Sequence, residues 1–294
     1  GGEPRKYGNV AKMKSNGVEI ALNTVNIKTK DFTWTTDLIY SHMHNEVTEL
    51  NTLNRMYDYI SGSGFTMPGY PQRSLFSIPF MGLNNEGLPT FLDQDGNVSV
   101  TGINMQEYDP ERLKFLKYEG PVDPTDVGSL GNVFRYKGVT LNLFITYSFG
   151  NVVRLDPVFS SSYSDLTATP KEFKDRWVKP GDENFTNVPV IASKQQLNNI
   201  AYLSTAYQAY NYSTERVAKG DFIRMKEISL AYEFPKSITQ PLRLSNLSLK
   251  LMATNLFLIY ADKKLNGQDP EFFNAGGVAN PMPKQFTLTL KLGI

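Results

Sequence analysis

Three features of the sequence predict an all-β fold, an antiparallel transmembrane β-barrel. First, residues 284–294 alternate without a break: Phe286, Leu288, Leu290, Leu292 and Ile294 fall on one side, Gln285, Thr287, Thr289, Lys291 and Gly293 on the other. Successive side chains of a strand point to opposite faces, so the stretch has one apolar and one polar face. Second, its length is close to the roughly ten residues that a tilted strand needs to cross a bilayer. Third, the same alternation recurs along the chain, and the segments between the alternating stretches are by turns short and long.

The strands are expected at about 17–27, 32–45, 129–137, 138–150, 221–234, 246–258 and 284–294. In the first, Val18, Ile20 and Leu22 share a face; in the second, Phe32, Trp34, Leu38 and Tyr40 oppose Thr33, Thr35, Asp37 and Ser41, with Ile39 out of pattern. The turn Lys28-Thr29-Lys30-Asp31 joins them as a hairpin. Lys137-Gly138 is a tight turn into the strongest strand, where Val139, Leu141, Leu143, Ile145, Tyr147 and Phe149 alternate with Thr140, Asn142, Phe144, Thr146 and Ser148. In the fifth strand Ile228, Leu230, Tyr232 and Phe234 share a face, but Ile223 and Met225 are out of phase with them. A bulge is expected near Lys226. The sixth strand sets Leu247, Leu249 and Leu251 against Ser248, Lys250 and Met252.

Three stretches read as long loops: 46–128, 151–220 and 260–282. The first is rich in Gly, Pro, Asn and Asp and shows only short patterned pieces, among them Ser74 to Ile78 and a hairpin about Asp95-Gly96. The second holds one expected helix, with Thr169 as cap, Pro170 at the first helical position and Glu172 completing a capping box before Trp177. Barrels of this kind have short periplasmic turns and long extracellular loops. The order short, long, short, long, modest, long places every long loop outside, with the last strand running towards the periplasm. Seven strands cannot close an even-stranded barrel, and open edges would leave backbone groups unpaired in lipid, so further strands are expected from elsewhere.

Bulk composition excludes several classes. With 30 Lys and Arg against 29 Asp and Glu, there is no electrostatic footprint for nucleic acid. Cysteine is absent, which removes disulfides, thiol nucleophiles and Cys-based metal sites. No run of eighteen apolar residues provides a transmembrane helix. Gly1-Gly2-Glu3-Pro4-Arg5-Lys6 has a basic pair but no apolar core behind it, so no signal peptide is expected and the start reads as mid-protein.

The segment Gly220-Asp221-Phe222-Ile223-Arg224-Met225-Lys226-Glu227-Ile228-Ser229-Leu230-Ala231-Tyr232 resembles one near the C-terminus of SusC/RagA-type TonB-dependent transporters. Asn255-Leu256-Phe257, Asp269-Pro270-Glu271 and Pro281-Met282-Pro283-Lys284-Gln285-Phe286-Thr287 follow in that family's order. Upstream, Gly17-Val18-Glu19-Ile20, Asn132-Val133-Phe134-Arg135-Tyr136-Lys137-Gly138 and Arg176-Trp177 with Pro180 also look like its elements. The resemblance spans essentially the whole chain. It implies the last seven or so strands of a 22-stranded outer-membrane barrel with a plug inside. It further implies uptake of oligosaccharides or oligopeptides, driven by the TonB complex and shared with a SusD-like surface lipoprotein. The plug and the TonB-contacting segment would belong to the remainder of the barrel protein. Family barrels commonly end in an aromatic residue; here Ile294 stands last.

No catalytic arrangement emerges: two His, no Cys, no Ser in an elbow context and no placed carboxylate pair leave a catalytic triad or an acid/base site without support. His42 and His44 would share one strand face, yet no third ligand is patterned near them, so no metal is expected there. Asp93-Gln94-Asp95-Gly96-Asn97 opens like a calcium loop, but Val98 and Asn104 stand where an EF-hand needs Gly and Glu; a hairpin turn is the simpler reading, with a loop calcium site as its alternative. No other cofactor is expected. Trp34, Tyr40, Phe134, Tyr136, Tyr147, Phe149, Tyr232 and Phe234 read as aromatic girdles at the bilayer interfaces. Trp177, Tyr202, Tyr207, Tyr210 and Tyr212 are candidate substrate contacts, since flat rings stack on sugars or pack peptide side chains; they equally suit stapling a loop or touching a capping lipoprotein. Asp37, Asn142, Thr146, Lys250 and Lys291 would line the lumen.

The leading expectation is a component of an outer-membrane nutrient importer in a Gram-negative cell. A passive porin or structural barrel segment shares the strand pattern without needing plug or TonB. A soluble carbohydrate-binding β-protein would leave large apolar strand faces in water, which argues against it.

Overall fold

The computed structural model describes residues 11–52, 54–61, 64–159, 170–272 and 282–294. In chain order the strands are β1 (Ala11–Lys28), β2 (Phe32–Leu50), β3 (Ser74–Ser77), β4 (Phe80–Leu83), β5 (Pro89–Leu92), β6 (Val98–Ser99), β7 (Lys117–Pro121), β8 (Asp126–Tyr136), β9 (Val139–Phe149), β10 (Val152–Arg154), β11 (Val217–Lys219), β12 (Phe222–Glu233), β13 (Asn246–Ala261) and β14 (Gln285–Gly293). Four α-helices interrupt them: α1 (Met56–Ile60), α2 (Lys194–Asn199), α3 (Leu203–Asn211) and α4 (Lys236–Thr239).

Seven strands form one antiparallel meander in the order β1-β2-β8-β9-β12-β13-β14. Each pairs with the next in sequence, so the connections alternate ends. The turns after β1 and β8 and the connector carrying α4 lie at one end, the three long segments at the other. Among the described residues β1 pairs only with β2 and β14 only with β13, leaving the sheet open at both edges. The turn after β8 is made by Lys137 (φ 44) and Gly138 (φ 86), the doubly positive pair that matches the twist of a two-residue hairpin.

The register puts the apolar alternation of every strand on a single face. Leu288 pairs with Leu251, Leu251 with Leu230, and Leu230 with Leu141; the next row joins Phe286, Ala253, Ile228 and Leu143. A register shift between Met225 and Glu227, seen against both neighbours, resets the phase of β12. Ile223 opposite Tyr147 and Met225 opposite Ile145 therefore share the face of Ile228 and Leu230, which explains their apparent misfit in the sequence. Asp37, Asn142, Thr146, Lys250 and Lys291 fall on the other face by register. There Asn142 Nδ2 donates to Glu227 Oε1 (3.2 Å), and Lys250 Nζ lies 3.9 Å from the same oxygen.

Aromatic side chains gather in two bands on the apolar face. Phe32, Tyr136 and Tyr232 share the row of Val139, and Trp34 stacks on Phe134 at 5.6 Å between centroids in the row above. Tyr40 and Tyr147 form the other band with Tyr260, whose ring lies 6.5 Å from that of Phe149. From Val139 to Tyr147 the strand rises about 26 Å, close to the ~25 Å apolar band of a membrane barrel. Tyr147 reaches across Gly128 to donate to the Ile39 carbonyl at 3.1 Å; a Cβ at residue 128 would meet that hydroxyl at 2.4 Å, so only glycine leaves the ring its place.

Three features differ from the sequence expectation. β1 and β2 run 18 and 19 residues, extending beyond bilayer length towards the long loops. The apolar face carries a polar chain: Thr24 Oγ1 donates to Asn26 Oδ1, Asn26 Nδ2 to Thr36 Oγ1, and both Thr36 Oγ1 and Trp34 Nε1 to Asn132 Oδ1, at 2.6–2.9 Å. Each of these five side chains has a hydrogen-bond partner within the sheet, which lowers the cost of sitting in hydrocarbon. Finally, 46–128 and 151–220 are not irregular: they carry short strands and helices packed about a shared core. The expected helix before Trp177 is a 3₁₀ turn, Lys171–Asp175, with Pro170 at its cap, while Thr169 lies outside the described residues.

Placing Arg at Ile228, in the middle row of the apolar face, is expected to cost about 2–4 kcal/mol in a bilayer. Thr287→Arg on the opposite face should stay within about 0.5 kcal/mol. Heat-modifiable mobility of the folded receptor on a gel measures both; equal loss in the two variants would refute the facing assigned by the register.

Candidate functional site

At the end carrying the long segments, residues of 46–128 and 151–220 fold into one head. Its core collects Met56, Ile60, Ile78, Phe91, Leu203 and Tyr210, all nearly or fully buried. An isolated bridge between Ile78 and Ser213 and the β10–β11 pair tie the two segments together. Arg154 at the end of β10 is the hub of the assembly. Its guanidinium donates to Ser77 Oγ and to the carbonyls of Ser213, Ile60 and Phe76 at 2.7–3.3 Å. Burial pulls the Arg154 pKa down to about 10, which still leaves it charged at neutral pH.

Ion pairs then dock the segment after β13 onto the head and sheet. Arg216 pairs with Glu172 at 2.8 Å, and Asn266 Nδ2 donates to the same carboxylate. Arg224 of β12 binds Asp269 and Glu271. Two of the sequence segments singled out above, around 220–232 and 269–271, thus meet through one buried arginine.

A groove of about 670 Å³ opens on the head between three pieces of chain. One wall is the start of α1, with Arg55 and Tyr57; a second is 101–106, with Asn104 and Gln106; the third is α3, with Tyr202, Thr205 and Gln208. The walls are locked by the helix ends. Met56 N–H donates to the Glu107 carbonyl and Tyr57 N–H to that of Met105, which satisfies two of the amides a helix start leaves orphaned. Arg55 lends its N–H to Asp58 and its side chain to Gln106. α3 buries Leu203, Ala206, Tyr207 and Tyr210 along one stripe, so Thr205 and Gln208 turn to the groove.

The five loop aromatics part ways. Tyr202 is 73% exposed, lines the groove and holds φ 62, a left-handed conformation rare for a bulky residue. The other four rings lie deeper, Trp177, Tyr207 and Tyr210 buried and Tyr212 half-buried. Tyr210 is fully buried, and Tyr207 is enclosed with its hydroxyl donating to the Val190 carbonyl at 2.6 Å; burial raises the pKa of both phenols. Trp177 is a staple: its ring covers Gly87, where a Cβ would come within 2.4 Å, and its Nε1 donates to Glu183 at 2.8 Å. That bond holds the Glu183 carboxyl below its usual range. Tyr212 is half-buried between Arg154 and Tyr57, with its hydroxyl 3.3 Å from that of Tyr57. Burial, then that contact, pushes its pKa up to about 12. Sequence inspection missed Tyr57, Gln208 and Arg154; none shows a periodic signal, because their neighbours come from distant segments.

Asp93 spends its carboxylate on its own turn, accepting from the N–H groups of Asp95 and Asn97 and from Ser99, while Asp95 pairs with Arg112. The geometry is that of the hairpin closed by Asp95-Gly96. His42 Nδ1 lies 2.9 Å from Asp126, which also accepts from Tyr40. His42 sits on the apolar face opposite Asp126, and among the described residues no group of three or more His, Asp or Glu is gathered as for a metal.

An open antiparallel meander with one apolar face, two aromatic bands and loops on one end is a piece of a transmembrane barrel, and comparison with known proteins shows which barrels it is similar to. No family model matches the chain. It is 26% identical to TonB-dependent receptor P39 of Formosa agariphila over 93% of this chain and 29% of that receptor. It is 25% identical to TonB-dependent receptor SusC of Bacteroides thetaiotaomicron over 97% of this chain and 27% of that one. Its fold superimposes on the RagAB peptide transporter with a TM-score of 0.67 at 22% identity, covering 98% of this chain and 30% of that one. An open state of the RagAB importer gives 0.68. The chain is similar over nearly its whole length to TonB-dependent receptors of the SusC type, and it spans under a third of the curated relatives it matches.

Arg154→Met would strand three carbonyls and a serine hydroxyl in the head. It is expected to cost about 3 kcal/mol or more, read as faster hydrogen exchange in 74–78 and 210–216 with the sheet unchanged; uniform exchange in both would disprove a local hub. Alkali provides a second check. A phenol whose folded pKa lies above its unfolded value stabilises the fold fully below pH ~10 and loses that contribution as pH rises through the folded pKa. The head should therefore loosen between about pH 10 and the Tyr212 value of about 12. Tyrosinate absorbance together with proteolysis of the head follows it, and early titration near 10 with the head intact would contradict the burial.

Proposed function

We propose that the chain is part of an outer-membrane importer of oligomeric nutrients in a Gram-negative cell. The observation that carries this reading is the topology: three short connections at one end of the sheet and a folded head fused to three long segments at the other. That polarity suits a barrel whose turns face the periplasm and whose loops face the medium. The relatives named as TonB-dependent receptors support it. In this reading the two aromatic bands mark the bilayer interfaces. Asp37, Asn142, Thr146, Lys250 and Lys291 line the wall about a plug supplied by the remainder of a 22-stranded barrel. The TonB complex drives transport, and a SusD-like surface lipoprotein covers the head. No chemical step is performed on the cargo. A loop calcium ion at 93–97 would compete with the hydrogen bonds Asp93 already makes, so none is assigned.

Uptake of a fluorescent oligosaccharide and of a fluorescent oligopeptide by cells bearing the complete receptor, with the TonB system intact or deleted, tests the reading. Loss of uptake on deletion is expected for at least one cargo. Undiminished uptake without TonB would make the barrel a passive porin.

A further inference from the structure

The three short connections of the large sheet form one rim. Lys137 N–H donates to the Asp31 carbonyl at 3.3 Å and Glu233 N–H to that of Gly138 at 2.9 Å, so the turns 29–31 and 137–138 and the connector 234–245 lie side by side. Their charge is lopsided: Lys30, Lys137, Lys236 and Arg243 stand against a single acid, Asp31. All four cations are exposed, and among the described residues none of them forms an ion pair. The head treats its charges differently, pairing Arg112 with Asp95 and Glu107, Arg73 with Asp123 and Arg216 with Glu172.

The depth of the rim is set by the aromatic band beside it. Tyr136 and Tyr232 belong to that band on the apolar face, and Lys137 follows Tyr136 directly. A strand rises about 3.3 Å per residue, and the headgroup layer outside the hydrocarbon is roughly 5–7 Å thick. A side chain one or two residues past the band therefore reaches the layer that holds lipid phosphate. The Lys137 ammonium lies 5.3 Å from the centroid of the outward-facing Tyr136 ring, which keeps it on the lipid side of the rim. The connector adds exposed Ile238 and Leu242 between Lys236 and Arg243, apolar side chains flanked by cations as in segments that lie in a bilayer interface. Resting on the reading of the sheet as an outer-membrane barrel whose short connections face the periplasm, we propose that this rim is a docking surface for anionic phospholipid of the periplasmic leaflet. Lys30, Lys137, Lys236 and Arg243 bind the phosphate oxygens, while Tyr136, Ile238 and Leu242 pack against the glycerol and upper acyl chain. A strongly hydrated ammonium with no carboxylate beside it gains most from a phosphate at that depth, and the long stems of these side chains lie along the apolar surface.

Native mass spectrometry of the complete receptor, released from mixed micelles with equal parts phosphatidylglycerol and phosphatidylcholine, tests the rim. Retained phosphatidylglycerol is expected to exceed phosphatidylcholine. Neutralising the rim with Lys30→Gln, Lys137→Asn, Lys236→Gln and Arg243→Asn should lower that preference by at least about fivefold, the contribution of one basic side chain near an anionic surface. Asn is chosen where φ is positive, 44 at Lys137 and 54 at Arg243, so the turns keep their conformation. Heat-modifiable mobility checks that the barrel is folded. Lys30→Arg, Lys137→Arg and Lys236→Arg together should retain the preference. Neutralising four exposed lysines outside the rim, Lys174, Lys179, Lys194 and Lys263, should leave it unchanged. Equal retention of the two lipids, a preference indifferent to the rim variant, an equal loss in the variant outside the rim, or displacement of the lipid by inorganic phosphate would each overturn the proposal. So would loss of nutrient uptake in the rim variant with its lipid preference intact, which would give the rim to a periplasmic protein. The lipid measurement involves no TonB; uptake that ignores TonB would overturn the importer reading and leave the rim as it stands.

Discussion

The constraint on which the structure depends is that a backbone amide in hydrocarbon has no water to fall back on. Each strand of the meander satisfies its neighbour, and the register of each pair is what turns a set of locally alternating segments into one apolar surface. The row that runs from Leu288 through Leu251 and Leu230 to Leu141 exists only if every register is right. A slip by one residue anywhere would turn a strand's apolar set to the wrong side. The shift at Lys226 shows the same rule enforced by a bulge: the extra residue brings Ile223 and Met225 onto the face of Ile228. The polar chain through Asn26, Thr36 and Asn132 obeys it with side chains.

The two open edges follow from the same demand. Among the described residues β1 and β14 leave rows of unpaired amides that lipid cannot satisfy, as expected of a sheet that belongs to a larger closed barrel. The size of the relatives, of which this chain covers under a third, agrees with that requirement.

Above the sheet the organising force changes from hydrogen-bond closure to burial around a few fixed charges. Arg154 gathers three pieces of the head through hydrogen bonds to the Ile60, Phe76 and Ser213 carbonyls and to Ser77, Arg216 holds Glu172, and Arg224 ties the last long segment to β12. The head is thereby joined to the sheet by several strands and not by a single hinge. Its outer groove inherits its shape from helix starts whose amides are capped by a neighbouring segment.

The sequence alone determined the seven strands of the large sheet, the turn at Lys137-Gly138, the side of each apolar row and even the phase break near Lys226. All of these are local: alternation has a period of two residues, and a two-residue turn announces itself by a glycine that tolerates positive φ. The lengths of the connectors determined which end carries the loops. What only the tertiary structure decided is everything assembled from distant pieces. Trp177, Tyr207 and Tyr210 read from the sequence equally as substrate contacts or as staples of a loop, and they are buried, because the residues that cover them lie in other segments, as Gly87 meets Trp177. Tyr202 differs from them in its place at the start of a helix, and Tyr57 joins it across about 150 residues of chain. Periodicity reports which way a side chain points within its own element; it carries no information about which other element arrives to meet it.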